Sequence, residues 1–233
     1  MPMAEPPGAT TRGPAEERAM IDLDALLRAS LAERKATEQE GIIFLGAIDD
    51  DSAERFSRTL LTLAVQRSGA GDEQPITIYI SSGGGSVGAG LAMMEMVYKM
   101  RDQYKVMINT VVTGYAYSMG AIVFQSGSTR LMGSLSTLML HSPQWYLSGN
   151  DQQIFSDYAR LASHYRSVVA NLFAARSGKH DAPWWENYIY SGRDRFLTAP
   201  ECLDLGLCDT VYGQELPTPP PGADNRPISS IGE

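Results

Sequence analysis

The chain has 233 residues and a formal net charge of −8 at pH 7. This length allows one substantial domain or at most two, and we expect one. The acidic balance offers no basic surface for a phosphate backbone, so nucleic-acid binding is not expected, and no stretch is long and apolar enough to predict a membrane span.

The two ends of the chain differ in composition from its middle. Residues 1–18 are rich in Pro, Gly and Ala and predict a disordered N-terminal tail, and residues 213–233 predict a disordered Pro-rich tail. A helical apolar pattern predicts an N-terminal helix over residues 19–40. The first residues match neither a secretory signal nor a transit peptide, so we expect a cytoplasmic protein.

Strand and helix patterns alternate from residue 41 onwards. The runs GIIFLGAI (41–48), ITIYI (76–80) and VMINTVV (106–112) predict buried strands. Helical spacing predicts helices over Ser52–Gln66 and from about Ala89 to Met100. The alternation predicts an α/β fold built on a largely parallel sheet.

Further elements follow in the second half of the chain. Leu135–His141 predicts a strand and Ile154–Arg176 the longest helix, whose apolar surface exceeds what one domain face needs and indicates a subunit contact. A short helix after Pro200 and a last strand complete the pattern. Cys202 and Cys208 lack metal-site spacing, so we expect reduced packing residues and no metal site.

The stretch TGYAYSMGAIVF (113–124) places Ser118 at a strand-to-helix corner. We expect the strand to stop before a turn of small residues that presents this serine beside unpaired helix N–H groups, which favour developing negative charge. The serine is either a nucleophile or only an N-cap, for which serine is a preferred residue.

The glycine-rich turn SSGGGSVGAG (81–90) is open to three interpretations. Gly83, Gly85 and Gly88 match the dinucleotide pattern G-x-G-x-x-G, but the next strand does not end in the acidic residue that would bind a ribose. Alternatively, the glycines bring a backbone N–H close to a reacting carbonyl as an oxyanion hole. The third interpretation is a flexible turn without a ligand.

Only one of the three histidines ends a predicted strand. That residue is His141, which is either structural or the base that a serine nucleophile needs. Such a base also needs a carboxylate, and Asp194 in GRDRF is the candidate. Its alternative role is a salt bridge with Arg193 or Arg195.

Four blocks carry a family resemblance: YISSGGGSVGAG, GYAYSMGA, LMLHSP and GRDRFLTAPECLDLGLCD. In this order, across residues 41–212, they resemble the Clp protease proteolytic subunit family. The resemblance implies that Ser118 is the nucleophile, His141 the base and Asp194 the third member of a catalytic triad. It also implies that the backbone N–H groups of Gly85 and Met119 form an oxyanion hole. The substrate-binding loop that it implies contains Gly83, Gly84 and Ser86.

The resemblance further implies a crotonase-like α/β fold of repeated ββα units with a long protruding handle helix. It implies homo-oligomeric heptameric rings stacked as a tetradecamer, an AAA+ unfoldase as a possible partner, peptide or unfolded-protein substrates and no cofactor. The chain departs from the family in having Gly83 where a proline is usual, which predicts a more flexible loop. It also has Thr77 where an aromatic residue is common.

We therefore expect a serine endopeptidase without an ATPase of its own. One alternative is a catalytically weak ring subunit that serves assembly or docking. Another is an acyl-CoA enzyme on the same scaffold, which would use the N–H donors without a nucleophile.

Overall fold

The computed structural model describes residues 28, 30, 32, 33, 36, 40–143 and 152–213. The chain divides into two compact units, residues 1–40 and 41–233. In the first unit, all the described residues from 28 to 36 are helical and exposed. The start of the predicted helix at 19 and the predicted tails, except Gly213, lie outside the described residues.

The second unit alternates strands with helices. In chain order its described elements are β1 (Ile42–Leu45), α1 (Asp50–Ala70), β2 (Ile76–Ser82), α2 (Val87–Tyr104), β3 (Ile108–Tyr117), α3 (Met119–Phe124), β4 (Arg130–Gly133), β5 (Thr137–Leu140), α4 (Gln152–Ser177), α5 (Ala182–Ile189), β6 (Arg195–Thr198), α6 (Ala199–Asp204) and β7 (Thr210–Tyr212).

One sheet joins all seven described strands. Its main path is β1-β2-β3-β4-β7, and every pair on this path is parallel. β5 pairs with β3 in parallel and with β6 antiparallel. Ile76, Ile78 and Ile80 of β2 are fully buried, as the apolar run predicts. The prediction of a largely parallel α/β sheet is confirmed.

β3 is longer than the sequence predicts, and the predicted turn before Ser118 is wrong. The strand continues through residues 113–117 because it changes partner on the way. Its first half pairs with β4 through Thr110–Val112, and its second half pairs with β5 through Tyr115–Tyr117. Gly114 lies between the two halves with a φ of 84°, a conformation in which glycine carries no steric penalty.

Two elements that follow α4 in the chain, α5 and β6, were not predicted. α5 begins at a capping Asp181, whose side chain accepts from Trp184 N–H, and it has a proline in its first turn. These are ordinary helix-start signals. β6 has only four residues and is antiparallel, and such a short strand leaves little pattern in the sequence.

α4 is a long helix that extends beyond the core. Its 26 residues correspond to about 39 Å at 1.5 Å per residue. Residues 153–160 are all exposed, and full burial begins only at Val169. The exposed part has the character of the handle helix that the resemblance implies. Within the described part of the chain, no helix combines the length and hydropathy of a membrane span.

Candidate active site

Ser118 lies at the point where β3 ends and α3 begins. Its backbone has φ 53° and ψ −121°, which is strained for a residue with a Cβ atom. Three backbone hydrogen bonds hold it there: Ser118 N–H donates to Met139 O at 2.8 Å, and Ser118 O accepts from Ala121 N–H at 3.1 Å and from Ile122 N–H at 3.3 Å. The side chain makes no capping hydrogen bond, so the interpretation as a simple side-chain cap is wrong.

The Ser118 hydroxyl contacts His141 instead. The distance from Ser118 Oγ to His141 Nε2 is 2.7 Å. The pairing of β3 with β5 produces this contact, because Tyr117 lies opposite Met139 and the two strands end side by side. The imidazole is only 20% exposed. With a proton on Nδ1, Nε2 is free to accept the hydroxyl proton.

Asp194 approaches the other nitrogen of the same imidazole. β5 and β6 are antiparallel with Leu140 opposite Arg195 as the last pair of the ladder, so His141 and Asp194 each lie one residue beyond its end. The distance from Asp194 Oδ1 to His141 Nδ1 is 3.8 Å, and the carboxylate is 57% exposed. The structure brings all three residues together, but this contact is longer than a hydrogen bond.

The glycine turn is packed directly against Ser118. At Gly84, which has a φ of 92°, a Cβ atom would lie 2.8 Å from both Ser118 Cβ and Tyr117 O. Gly84 N–H donates to Ser82 Oγ at 3.0 Å. The turn is therefore held in place at Gly84, whereas the sequence predicts a more flexible loop.

A β-bridge to Ile48 fixes the next residue of the turn, Gly85. Ile48 N–H donates to Gly84 O at 3.1 Å, and Ser86 N–H donates to Ile48 O at 2.8 Å. In a parallel bridge of this kind, the N–H of the central residue points away from the partner strand. A Cβ atom at Gly85 would lie 2.0 Å from Ile48 O, so only glycine fits.

The remaining predicted loop residues differ in their surroundings. Gly83 is exposed, and a Cβ atom there would have no neighbour within 4 Å. Ser86 is also exposed, but its hydroxyl caps α2 by accepting from Ala89 N–H at 3.3 Å. Met119 begins α3 and is 2% exposed. Its side chain fills the space left by Gly90, where a Cβ atom would lie 2.4 Å away, a role the sequence did not reveal.

A pocket opens beside Ser118 and His141. Its ten other lining residues are all apolar or aromatic: Val87, Met119, Ile122, Leu140, Pro143, Tyr165, Val169, Phe173, Ile189 and Tyr190. Several of them come from α4, which the sequence predicted as a helix but did not connect with the site. The helical spacing of Tyr165 and Val169 was the only available signal.

Tyr190 adds a polar group to this largely apolar pocket. Burial raises the pKa of its hydroxyl to about 12, so the group stays protonated at neutral pH. The Arg166 guanidinium lies 4.7 Å from the ring centroid and forms an ion pair with Glu186 at 3.4 Å. α4 and α5 are thereby joined next to the pocket.

The described residues contain no group of three or more His, Cys, Asp or Glu side chains arranged to hold a metal ion. Cys202 and Cys208 are both buried and unpaired, as the sequence predicts for packing residues. Burial raises the pKa of both thiols, that of Cys208 to about 11. Neither is therefore a reactive thiolate at neutral pH.

Comparison with known proteins identifies relatives over most of the chain. The family model described as Clp protease matches residues 28–215. An "ATP-dependent Clp protease proteolytic subunit 3" of Rhodococcus jostii is 34% identical over 193 residues, which cover 81% of this chain and 88% of the relative. Two relatives named "ATP-dependent Clp protease proteolytic subunit" come from Streptococcus agalactiae serotype V, with 31% identity over 175 residues, and Streptococcus thermophilus, with 30% over 172. Each covers 73% of this chain and 83% of the relative.

The family match spans far more than half of the chain, and the fold agrees with it. A mostly parallel sheet with flanking helices is the crotonase-like α/β arrangement that the resemblance implies, so this prediction of fold class is confirmed. The chain belongs to the Clp protease family.

Proposed function

We propose that this chain is a Clp-type serine endopeptidase subunit in which Ser118, His141 and Asp194 hydrolyse peptide bonds. The observation that carries the proposal is the 2.7 Å contact between Ser118 Oγ and His141 Nε2. It occurs at a strained backbone position whose side chain makes no capping hydrogen bond to the helix. Strain of this kind concentrates at functional sites.

The reaction follows from the two ends of the imidazole. His141 Nε2 takes the hydroxyl proton as Ser118 Oγ attacks the peptide carbonyl, and it then protonates the leaving amine. Water then hydrolyses the acyl-enzyme by the same route. Asp194 would hold the Nδ1–H tautomer, which requires its 3.8 Å approach to shorten by about 1 Å to hydrogen-bond length.

Two backbone N–H groups would stabilise the oxyanion. Met119 is the first residue of α3, so its N–H has no acceptor within the helix and lies at the positive end of the helix dipole. The N–H of Gly85 points away from Ile48, because the neighbouring groups make the bridge. Donors fixed before the reaction act in this way without a cost of reorganisation.

The pocket and the glycine turn define a peptide site. The apolar lining beside Ser118 favours an apolar side chain next to the scissile bond, since its burial contributes about 1.5–3 kcal/mol. The exposed backbone at Gly83 and the segment from Gly84 to Ser86 would contact the extended substrate main chain. The substrate class is therefore short peptides or unfolded protein segments.

Assembly into rings completes the proposal. The relatives are named as proteolytic subunits of an ATP-dependent protease, which supports an oligomer that works with an ATPase. Heptameric rings stacked as a tetradecamer, with an AAA+ unfoldase as partner, are the form of that assembly that the family resemblance implies. The exposed apolar side chains of α4, among them Ile154 and Tyr158, support a ring-to-ring contact. The two unpaired cysteines support a reducing, cytoplasmic location.

Substitution of the nucleophile tests the proposal. Ser118→Ala should reduce hydrolysis of a short fluorogenic peptide by at least about 10⁴-fold while leaving the native mass unchanged, because only the attacking oxygen is lost. A fluorophosphonate should label the wild-type protein and not the variant. Retained activity in Ser118→Ala would refute the assignment, and an unlabelled, inactive wild-type ring would favour the docking-subunit alternative.

A further inference from the structure

Three aromatic rings and one guanidinium group are stacked along one side of α5. His180 lies parallel to Trp184 at a centroid distance of 3.7 Å, and Trp184 lies parallel to Tyr188 at 4.7 Å. The Arg195 guanidinium lies 4.9 Å from the Tyr188 centroid. Rings four residues apart share one face of a helix. We call these four side chains the aromatic ladder.

The aromatic ladder is anchored to the core. Trp185 is fully buried and lies edge-on to Trp184 and Tyr188, at 5.0 and 5.7 Å. Its indole N–H donates to Ser177 Oγ at 3.1 Å, which ties α5 to the end of α4. Edge-to-face and stacked aromatic pairs stabilise each other beyond the burial of their area, so the ladder firmly supports the residue at its end.

Arg195 is held at three points at that end. Besides the stacking on Tyr188, its Nε–H donates to Tyr188 O at 3.3 Å and its Nη2 donates to Ser191 Oγ at 3.0 Å. Arg195 is the first residue of β6 and immediately follows Asp194, which lies just before the strand. Within the described residues, no ion pair joins Arg195 to Asp194, so the alternative salt bridge between them is not formed.

Among the described residues, Asp194 makes no other side-chain hydrogen bond or ion pair. Its carboxylate is 57% exposed and 3.8 Å from His141 Nδ1, and Gly192 two residues earlier has a φ of 84°, a conformation open to glycine. The alignment of the carboxylate therefore depends on the backbone of the next residue. That residue is the one clamped by the ladder.

We propose that Arg195 is a positioning residue: held by Tyr188 and Ser191, it keeps its charge away from Asp194 and holds the Asp194 backbone where the carboxylate stays within reach of His141. This inference rests on the proposed serine peptidase function. It assigns a task to α5, which the reaction otherwise uses only as a pocket wall.

The test is a double-mutant cycle on peptide hydrolysis. Arg195→Gln should lower kcat on the order of 10- to 100-fold with KM within about twofold, because a displacement of about 1 Å near the reacting groups has an effect of that size. In the Asp194→Asn background, where the carboxylate is already absent, the same substitution should cause less than about a twofold further loss.

Tyr188 provides an independent variant if Arg195→Gln does not fold. Tyr188→Leu removes the platform and should lower kcat in the same direction, whereas Tyr188→Phe keeps the ring and should restore wild-type kcat. Arg58→Gln is the matched control, since Arg58 is 78% exposed and, within the described part of the chain, its guanidinium pairs only with Glu54 in the same helix. Thermal unfolding of each variant would be recorded alongside.

The outcomes separate the two proposals. An equal loss from Arg195→Gln in both backgrounds, or failure of Tyr188→Phe to restore kcat, would overturn the positioning role. If Asp194→Asn lowers kcat and Arg195→Gln does not, only the positioning role is wrong. If Asp194→Asn alone leaves kcat unchanged, the triad is wrong and the role of Arg195 falls with it.

Discussion

Gly84 makes room for the strained backbone of Ser118. It is buried against the serine, and a Cβ atom at this position would lie 2.8 Å from Tyr117 O and 3.0 Å from Met119 N. Both are backbone atoms that cannot rotate away. The φ of 92° adds a conformational penalty for any other residue. The corner at Ser118 and the glycine turn are therefore packed together as one unit.

We expect Gly84→Ala to destabilise the fold and to misplace Ser118. The clash and the left-handed φ should together lower the free energy of unfolding by about 1–3 kcal/mol, and peptide hydrolysis should fall by about 100-fold if the hydroxyl shifts by about 1 Å. Urea unfolding and steady-state kinetics measure the two effects.

Gly83→Ala is the matched control for stability. A Cβ atom at Gly83 meets nothing within 4 Å, so its free energy of unfolding should stay within about 0.5 kcal/mol of wild type. Equal unfolding curves for Gly84→Ala and Gly83→Ala would show that close packing on Ser118 does not constrain the turn.

The sequence identifies the chemical groups of the site but not their distances. His141 is singled out because it alone among three histidines ends a predicted strand, and the structure places it on Ser118. The 3.8 Å gap to Asp194 depends on the β5–β6 register, which no local pattern encodes. Tyr165 and Tyr190 were missed as pocket residues because only the packing of α4 and α5 brings them there.

At the scale of elements, the limit of prediction is the choice of strand partners. The run 106–112 was correctly read as a strand, but its continuation to Tyr117 depends on β5 taking over from β4 as the neighbour. Gly114 was therefore read as part of a turn. Helix ends were closer: α1 ends where Gly71 adopts φ 61°, one glycine later than predicted.

Arg130 and Asp209 join the ends of β4 and β7. Arg130 is 4% exposed, and its Nη1 donates to Gln125 Oε1 at 2.6 Å and to Gly206 O at 3.0 Å. Asp209 Oδ2 accepts from the Arg130 N–H at 2.7 Å. Burial opposes ionisation of Asp209, but the hydrogen bonds from the side chain and backbone of Arg130 outweigh it and hold the pKa of the carboxyl below 3.8.

We expect Asp209→Asn to lower the free energy of unfolding by about 1–2 kcal/mol at neutral pH. Loss of one partner of a buried pair costs about 3–5 kcal/mol, and this is reduced here because the carboxylate is 38% exposed and screened by solvent. A depressed pKa stabilises the fold above 3.8 and ceases to do so as the pH falls through the lower folded-state value.

The difference between wild type and Asp209→Asn should therefore shrink as the pH drops below 3.8. Urea unfolding over a pH series measures it. Asp102→Asn serves as the control, because Asp102 is 90% exposed and should change stability by less than about 1 kcal/mol. A difference for Asp209→Asn that is the same at every pH would exclude the ionised carboxylate as its source.

At the scale of the whole molecule, α4 links the pocket to an exposed apolar stripe. Tyr165 and Val169 of this helix line the pocket. Ile154, Tyr158 and Leu161 lie on the same face, nearer the start of the helix, and are 46%, 40% and 38% exposed. Exposed apolar stripes of this kind mark protein–protein contacts, and a ring-to-ring contact would repeat the stripe around the symmetric assembly.

We expect Leu161→Glu to separate stacked rings without unfolding the subunit. A carboxylate buried in such a contact should cost on the order of 2–3 kcal/mol, or about 100-fold in the association constant of each contact. Ser163→Glu adds the same charge at an exposed residue about 200° around the helix and should assemble as wild type does. Sedimentation velocity and native mass spectrometry report the change. Equal assembly of the two variants would mean that the stripe on α4 lies outside the contact.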